Sequence, residues 1–329
     1  DSIVFNEILA HSHASQPDWI ELYNKTDQDI NIGGWFLTDD NTDLNTIRKY
    51  EIPAGTILPG GSYLVFYQNT SFGSLSQPIE KRFALSEAGE TVYLYSGENG
   101  EVTGYYQTRQ KFDASETGIS LGRYEKASLT NGYDFVRMQT PTPQQPNSSP
   151  LVAPLVITEI MYNPVQGADY EYLELYNRSS EAVSLMATVS TENPQGVFIS
   201  QDLPWTIDGI GYVFPSGIVV MPGEYIIVAK NPSLFSNVYG SILPVGTRVF
   251  GPYTGKLDNN GEEITIQIPG DQEWNKARIY IPVETIDYTD SAPWPTGPNG
   301  GGQSLQRIDK NVYSSDPEIW IGQAPQPGK

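Results

Sequence analysis

Four glutamates on predicted strands are the residues best suited to do chemistry. Glu7 and Glu21 stand in the first half of the chain, and Glu159 and Glu174 stand in nearly the same context in the second half. Glycosidases use two carboxylates that flank one bond to hydrolyse a glycoside. Each pair is therefore a candidate for acid and base catalysis, with a structural role inside a sheet as the alternative.

The structural role is the interpretation that we favour. A carboxylate among apolar neighbours needs a partner, because an ionised group is costly to bury alone. Each half of the chain supplies an arginine in a matching motif, Ser-Leu-Gly-Arg at 120–123 and Ser-Leu-Gln-Arg at 304–307, and a guanidinium can bind a carboxylate through two hydrogen bonds. We predict one structural ion pair in each half: Arg123 with Glu7 or Glu21, and Arg307 with Glu159 or Glu174.

An oxygen-rich loop is the best candidate for a metal site. Asp39, Asp40, Asn41 and Asp43 follow a predicted strand, and carboxylate and amide oxygens are the ligands that calcium prefers. The loop lacks the glycine and the distal glutamate of an EF-hand, and short Asp and Asn side chains also cap ordinary turns. Calcium at this loop is therefore a prediction, with a capped turn as the alternative.

Histidine and cysteine chemistry has little support. His11 and His13 are the two histidines of the chain, and they would bind zinc only if a third ligand such as Asp18 approached. They are also the only bases available to a serine nucleophile. The chain has no cysteine, which excludes thiolate nucleophiles and thiolate metal ligands. We therefore predict that the protein is not an enzyme.

Aromatic residues are the remaining candidates for ligand binding. The chain has 21 tyrosines and 6 tryptophans, more than two small cores need. Trp294 lies in a proline-rich loop, and aromatic side chains on loops can bind sugars or proteins. We therefore predict Trp294 as a candidate ligand-binding residue, although the alternative, that it closes the bottom of a sandwich, is slightly favoured.

The elements that must position these residues are short strands. The 31 glycines and 25 prolines separate runs rich in Val, Ile, Tyr, Phe and Thr, a pattern typical of an all-β fold. Residues 18–24 recur almost unchanged at 171–177, and other motifs recur in the same order. We predict two β-sandwiches in tandem, at 1–147 and 155–329, joined by a proline-rich linker at 148–154.

Charge and hydropathy narrow the choice of partners. The chain has 19 Lys and Arg against 39 Asp and Glu, which gives a net charge of -20. Phosphate neutralisation has no obvious source in such a chain, so we predict no nucleic-acid partner. No apolar run approaches the roughly 20 residues of a membrane helix, and we predict no membrane insertion.

The ordered motifs resemble those of the lamin tail domain as bacteria carry it. The second half carries Thr-Glu-Ile-Met-Tyr-Asn-Pro at 158–164, the strand at 171–177, Met-Pro-Gly at 221–223 and Ser-Leu-Gln-Arg at 304–307. The first half adds Gly-Trp-Phe-Leu at 34–37. This resemblance implies immunoglobulin-like sandwiches. It also implies an exported, non-catalytic module, since bacterial members resemble parts of secreted or surface-attached proteins.

These observations predict a non-enzymatic interaction, adhesion or spacer module at the bacterial surface. We expect it to be extracellular after removal of a signal peptide, monomeric, free of cofactors apart from possible calcium, and to bind a protein or a glycan. One alternative is a hydrolase, which needs convergent titratable groups in a concave pocket. The other is a carbohydrate-binding module, which requires coplanar exposed aromatic rings.

Overall fold

The computed structural model describes residues 2–126 and 132–329, and it confirms the all-β fold class. The chain forms two compact units. Of the described residues, the first unit comprises 2–125 and 133–151, and the second comprises 152–329 together with residues 126 and 132. The boundary between residues 151 and 152 lies inside the predicted linker.

The described part of the first unit contains eleven strands and one short α-helix. In chain order they are β1 (Ile3–Leu9), β2 (Trp19–Asn24), β3 (Ile30–Asn31), β4 (Phe36–Thr38), α1 (Leu44–Ile47), β5 (Tyr50–Glu51), β6 (Ile57–Leu58), β7 (Tyr63–Tyr67), β8 (Gly89–Glu98), β9 (Glu101–Asp113), β10 (Leu121–Glu125) and β11 (Tyr133–Arg137). A 3-10 turn lies at Ile79–Lys81.

Two sheets face each other across the core of the first unit. One has five strands in the order β11-β10-β1-β2-β7, and the other has four in the order β5-β4-β8-β9. Ile20 and Leu22 from the five-stranded sheet share one apolar cluster with Leu37, Val92 and Leu94 from the four-stranded sheet. Each such fully buried side chain contributes roughly 1.5–3 kcal/mol to folding. A small third sheet pairs β3 with β6.

The second unit, over the residues that the structure describes, contains fourteen strands and one α-helix. In chain order they are β12 (Leu155–Met161), β13 (Tyr172–Asn177), β14 (Val183–Ser184), β15 (Met186–Glu192), β16 (Phe198–Pro204), β17 (Thr206–Asp208), β18 (Tyr212–Val213), β19 (Val219–Val220), β20 (Tyr225–Ala229), α2 (Pro232–Tyr239), β21 (Arg248–Phe250), β22 (Gly261–Pro269), β23 (Tyr280–Thr289), β24 (Ser304–Arg307) and β25 (Trp320–Gln323). Two 3-10 turns lie at Ala168–Tyr170 and Pro317–Ile319.

The second unit repeats the sandwich and extends it. Its larger sheet has the order β21-β20-β13-β12-β24-β25, and its four-stranded sheet has the order β18-β17-β22-β23. The β20–β21 pair is parallel, and β15 pairs with β16 as a separate hairpin. The strand β13 carries the repeated motif, and it pairs with β12 in the register that β2 keeps with β1.

The predicted linker at 148–154 forms main-chain contacts with the first unit. Met138 forms a bridge with Pro150, and the N–H of Leu151 donates to the carbonyl of Arg137 at 2.7 Å. Proline excludes a regular ladder, but the residues between the prolines keep their N–H groups and bond to the first unit. In the described ranges, no helix is both long and apolar enough to span a membrane.

Candidate functional site

The two glutamates of the first unit lie side by side on the outer face of the five-stranded sheet. Glu7 and Glu21 are paired across β1 and β2. The alternation that sends Ile20 and Leu22 into the core sends Glu21 to the opposite face. A β-bulge at Asn6 shifts the register of β1, so that Glu7 faces the same way. Both glutamates are nevertheless 0% exposed.

A proline-rich segment covers this outer face. We call residues 140–144, Thr-Pro-Thr-Pro-Gln, the first strap. Proline has no N–H, so Thr142 and Gln144 supply the main-chain donors that follow each proline. The N–H of Thr142 donates to both oxygens of Glu7 at 3.1 Å, and the N–H of Gln144 donates to Oε2 of Glu21 at 2.5 Å. The Thr142 hydroxyl adds a bond of 2.9 Å to Oε2 of Glu7.

Neighbouring side chains complete the hydrogen bonding of this pair. The Ser120 hydroxyl donates to Oε1 of Glu7 at 2.5 Å, and the amide of the bulge residue Asn6 donates to Oε1 of Glu21 at 2.7 Å. Every oxygen of both carboxylates therefore accepts at least one bond from the chain itself, which is what a buried carboxylate requires.

The second unit builds the same arrangement with a second strap, residues 324–328, Ala-Pro-Gln-Pro-Gly. The N–H of Gln326 donates to Oε1 of Glu159 at 3.2 Å, and the N–H of Gly328 donates to Oε2 of Glu174. Thr158 occupies the bulge and donates to Oε1 of Glu174 at 2.6 Å. Glu159 also accepts bonds from two hydroxyls, those of Ser304 at 2.5 Å and Tyr172 at 2.8 Å.

Burial raises the pKa of all four carboxyls, and their hydrogen bonds oppose that rise. The pKa of Glu21 rises from 4.5 to about 7, as does that of Glu174. Removal from water is the largest cause in both cases, and the neighbouring carboxylate adds a smaller repulsion. The strap N–H groups favour the ionised form and lower the pKa.

These pKa shifts predict that the protein loses stability as the pH rises from 4.5 to about 7. In this window the folded state binds more protons than the unfolded state, because its carboxyl pKa values are higher. A rise of the Glu174 pKa from 4.5 to about 7 corresponds to at most about 3 kcal/mol. Urea unfolding at a series of pH values measures this slope.

Glu174→Gln should flatten that slope, because the amide stays neutral at every pH. Its oxygen can still accept the N–H of Gly328, and its NH2 group can donate to the Thr158 hydroxyl, which donates to the carboxylate in wild type. Glu181→Gln is the matched control, since Glu181 is exposed in the same unit. Equal pH slopes for wild type and Glu174→Gln would contradict the raised pKa of Glu174.

The predicted partner of Arg123 is wrong. Glu7 pairs with Gly122 across β1 and β10, and the side chain one residue further points to the other face of the strand. Arg123 instead contacts Glu125, with Nε 2.6 Å from Oε1. The strap supplies the donors that the prediction assigned to the guanidinium.

The predicted partner of Arg307 is wrong for the same reason. Glu159 pairs with Gln306, so the side chain of Arg307 faces away from Glu159 and Glu174. Its Nη1 lies 2.5 Å from Oε1 of Glu284. This ion pair is buried, and sequence reasoning missed Glu284.

Residues 118–122, Gly-Ile-Ser-Leu-Gly, have the spacing of the nucleophile elbow of α/β-hydrolases. The central residue, Ser120, is 0% exposed and donates to Glu7. It leads into an antiparallel strand, whereas the elbow requires a turn from a strand into a helix. This serine is therefore a structural donor.

The predicted metal loop does not bring its side chains to one point. Asp39 forms an ion pair with Lys49 at 2.5 Å, Asp40 accepts a main-chain N–H two residues on, and Asp43 caps α1. Over residues 2–126 and 132–329, no three His, Cys, Asp or Glu side chains are placed to hold a metal ion, and the histidine alternative has no such group either. Calcium at Asp39, Asp40, Asn41 and Asp43 stays a prediction from composition.

The predicted exposure of Trp294 is wrong. It is 5% exposed and belongs to the core of the second unit, where its ring centroid lies 6.1 Å from that of Trp320. The alternative, a tryptophan that closes the sandwich, describes its position. A buried indole cannot act as a binding platform without unfolding of the loop.

An aromatic pair that sequence reasoning did not single out lies on the outer face of β8. Tyr93 and Tyr95 are half-buried, and their ring centroids are 6.2 Å apart with an angle of 14° between the planes. They line a shallow groove of about 380 Å³ together with Asn41, Gln107 and Arg109. Alternating tyrosines in a strand whose intervening residues are apolar were the available signal.

The comparisons with known proteins concern the first unit above all. Residues 1–109 match the family model described as Lamin Tail Domain. No curated protein matches the chain. Among solved structures, the chain is similar to a DUF4876 family protein from Bacteroides thetaiotaomicron, at 15% identity and a TM-score of 0.28, over 67% of this chain and 85% of that chain. The first unit thus contains a lamin tail domain, with the immunoglobulin-like fold of that family.

Proposed function

We propose that the protein is a non-enzymatic, exported module that acts at the bacterial surface as an interaction or spacer element and binds a protein or a glycan. The observation that carries this proposal is the saturation of both carboxylate pairs. All four glutamates are at most 2% exposed, and each accepts hydrogen bonds from its own strap. Carboxylates in this state hold the fold together and do not face a substrate.

A hydrolase would need a different arrangement. Its two carboxylates must flank the scissile bond with space between them for the sugar, and in inverting enzymes for a water molecule. Here the straps occupy that space. Of two surface pockets in the first unit, one contains Asp18 as its single carboxylate and the other is the tyrosine groove without any. Neither pocket brings two acidic groups together.

Two properties support a surface module with a non-nucleic-acid partner. The match of residues 1–109 to the lamin tail domain agrees with the resemblance to bacterial surface modules. The net charge of -20 keeps the protein soluble and opposes association with polyanions. We propose an extracellular location and a monomeric state on the same grounds.

The experiment is a panel of glycoside, ester and phosphodiester substrates, assayed with the purified full chain. We expect no turnover above buffer. Activity that survives repurification and disappears in Glu21→Gln or His13→Ala would overturn the proposal. The same preparation should bind partners on a glycan and protein array, since an interaction module must bind without turnover.

A further inference from the structure

We infer that the tyrosine groove of the first unit is a binding site for a neutral glycan. We define this groove by Tyr93, Tyr95, Gln107 and Arg109, with Asn41 at its edge. The inference rests on the proposed function and names its ligand class. The register of β8 and β9 brings these side chains together, because Tyr93 is paired with Arg109 and Tyr95 with Gln107.

The tyrosines are not needed by the core of the sandwich. The intervening residues Val92 and Leu94 are 0% exposed and belong to the core, so Tyr93 and Tyr95 point to the outer face. Their nearly parallel rings form a platform on a rigid strand. A sugar ring presents an apolar C–H face to such a platform, and aromatic side chains are suited to ligands that combine apolar and polar surface.

The polar rim of the groove is available for hydrogen bonding. Gln107 and Arg109 are exposed, and within residues 2–126 and 132–329 their side chains form no hydrogen bond or ion pair with another side chain. An exposed guanidinium without a carboxylate is unusual on a chain with 39 Asp and Glu against 19 Lys and Arg. Asn41 lines the groove together with Tyr95. Hydroxyl groups of a sugar would accept from the amide and the guanidinium.

The second unit provides an internal comparison at the same sheet position. Gly261 starts β22 as Gly89 starts β8, each with positive φ. Counted from these glycines, Thr265 and Gln267 stand where Tyr93 and Tyr95 stand. Thr265 bonds to Thr285 across the strands at 3.2 Å. At these two positions the second unit thus carries polar side chains, and the aromatic pair of the first unit has no counterpart there.

Charge selects a neutral ligand over an acidic one. The groove contributes one positive charge, but the chain as a whole carries -20, which repels a polyanion at long range. A neutral polysaccharide meets no such repulsion. Its hydroxyl groups would hydrogen-bond to Gln107 and Arg109, and its C–H faces would pack against Tyr93 and Tyr95.

The test is binding of the full chain to immobilised neutral polysaccharides, to uronate polymers and to a peptide array, with titration on the best neutral glycan. Tyr95→Ala and Arg109→Ala should each weaken binding about tenfold, as expected for loss of a stacking ring or of rim hydrogen bonds. Gln267→Ala is the matched control for Tyr95→Ala, because Gln267 stands at the same position of the second unit, and it should bind as wild type does. Arg109 is exposed, so its variant is informative even if Tyr95→Ala unfolds.

The outcomes separate the inference from the proposed function. Binding only to uronates, binding only to peptides, no binding to any polysaccharide, or binding unchanged in both groove variants would overturn the inference and leave a surface module intact. Hydrolysis of a bound glycan would overturn the proposed function itself. Loss of binding in Tyr95→Ala and Arg109→Ala, with Gln267→Ala unaffected, supports the inference and the proposed function.

Discussion

Arg307→Ala is expected to lower the free energy of unfolding of the second unit by about 3–5 kcal/mol. The guanidinium lies 2.5 Å from Glu284, and the two side chains are 0% and 4% exposed. Its other N–H groups donate to the main-chain carbonyls of Ile157, Asp309 and Val312. Removal of the arginine would leave a buried carboxylate without its cation and three carbonyls without this donor, which is the costly way to break a buried pair.

Two further variants test whether burial of an unpaired charge causes the loss of stability in Arg307→Ala. Lys256→Ala removes a cation whose side chain is 71% exposed and 3.8 Å from Asp258, so its cost should be about 0–1 kcal/mol. The double variant Arg307→Met/Glu284→Leu removes both charges and should recover part of the stability lost in Arg307→Ala. Chemical denaturation of the full chain measures the unfolding free energy of all three variants. A loss in Arg307→Ala no larger than that in Lys256→Ala would contradict the buried ion pair.

The sandwich fold was predictable because it depends on periodic signals. Ile20 and Leu22 alternate with Glu21, and this alternation determines which face of β2 enters the core. The repeated Asn24 and Asn177 mark the same turn, in which each side-chain amide donates to a main-chain carbonyl, that of Leu58 at 3.0 Å or that of Val220 at 2.8 Å. Such local patterns are visible in one sequence.

The partners of the glutamates were not predictable from residue types. Sequence reasoning matches a carboxylate with a cationic side chain, but Glu7 and Glu21 accept main-chain N–H groups of Thr142 and Gln144, and every residue except proline has such a group. Arg123 faces away from Glu7 because Glu7 is paired with Gly122, one residue earlier. That pairing joins strands that lie far apart in the sequence. The available signal was the recurrence of X-Pro-X-Pro-X near the end of each unit.

The aromatic residues illustrate the same limit. Trp294 lies in a proline-rich loop, which suggested exposure, yet packing against Trp320 buries it. Tyr93 and Tyr95 were not singled out from the sequence, because a tyrosine within a strand can belong to either face, and their alternation with the buried Val92 places them on the outer face. Burial of an aromatic side chain depends on which sheet face is covered, and a single sequence does not state that.

Thr142→Pro is the second substitution with a large expected effect, and it acts on the first strap alone. It removes the N–H and the hydroxyl that donate to Glu7, which are the only donors to Oε2 of this carboxylate among the described residues. Hydrogen bonds to charged groups contribute about 1.5–3 kcal/mol each, so the loss should reach about 3–6 kcal/mol when Glu7 is ionised. Thr142 precedes Pro143, which already favours the extended conformation that proline adopts.

Thr142→Val is the matched control, because it loses the hydroxyl and keeps the N–H. The most direct test of the strap as the partner of the buried glutamates is therefore the unfolding free energy of both variants at about pH 8 and about pH 5. We predict that Thr142→Pro is less stable than Thr142→Val by about 1.5–3 kcal/mol at the higher pH, and that the difference shrinks at the lower pH as Glu7 gains a proton. Equal stability of the two variants at both pH values would contradict the claim that the strap N–H groups hold the carboxylates.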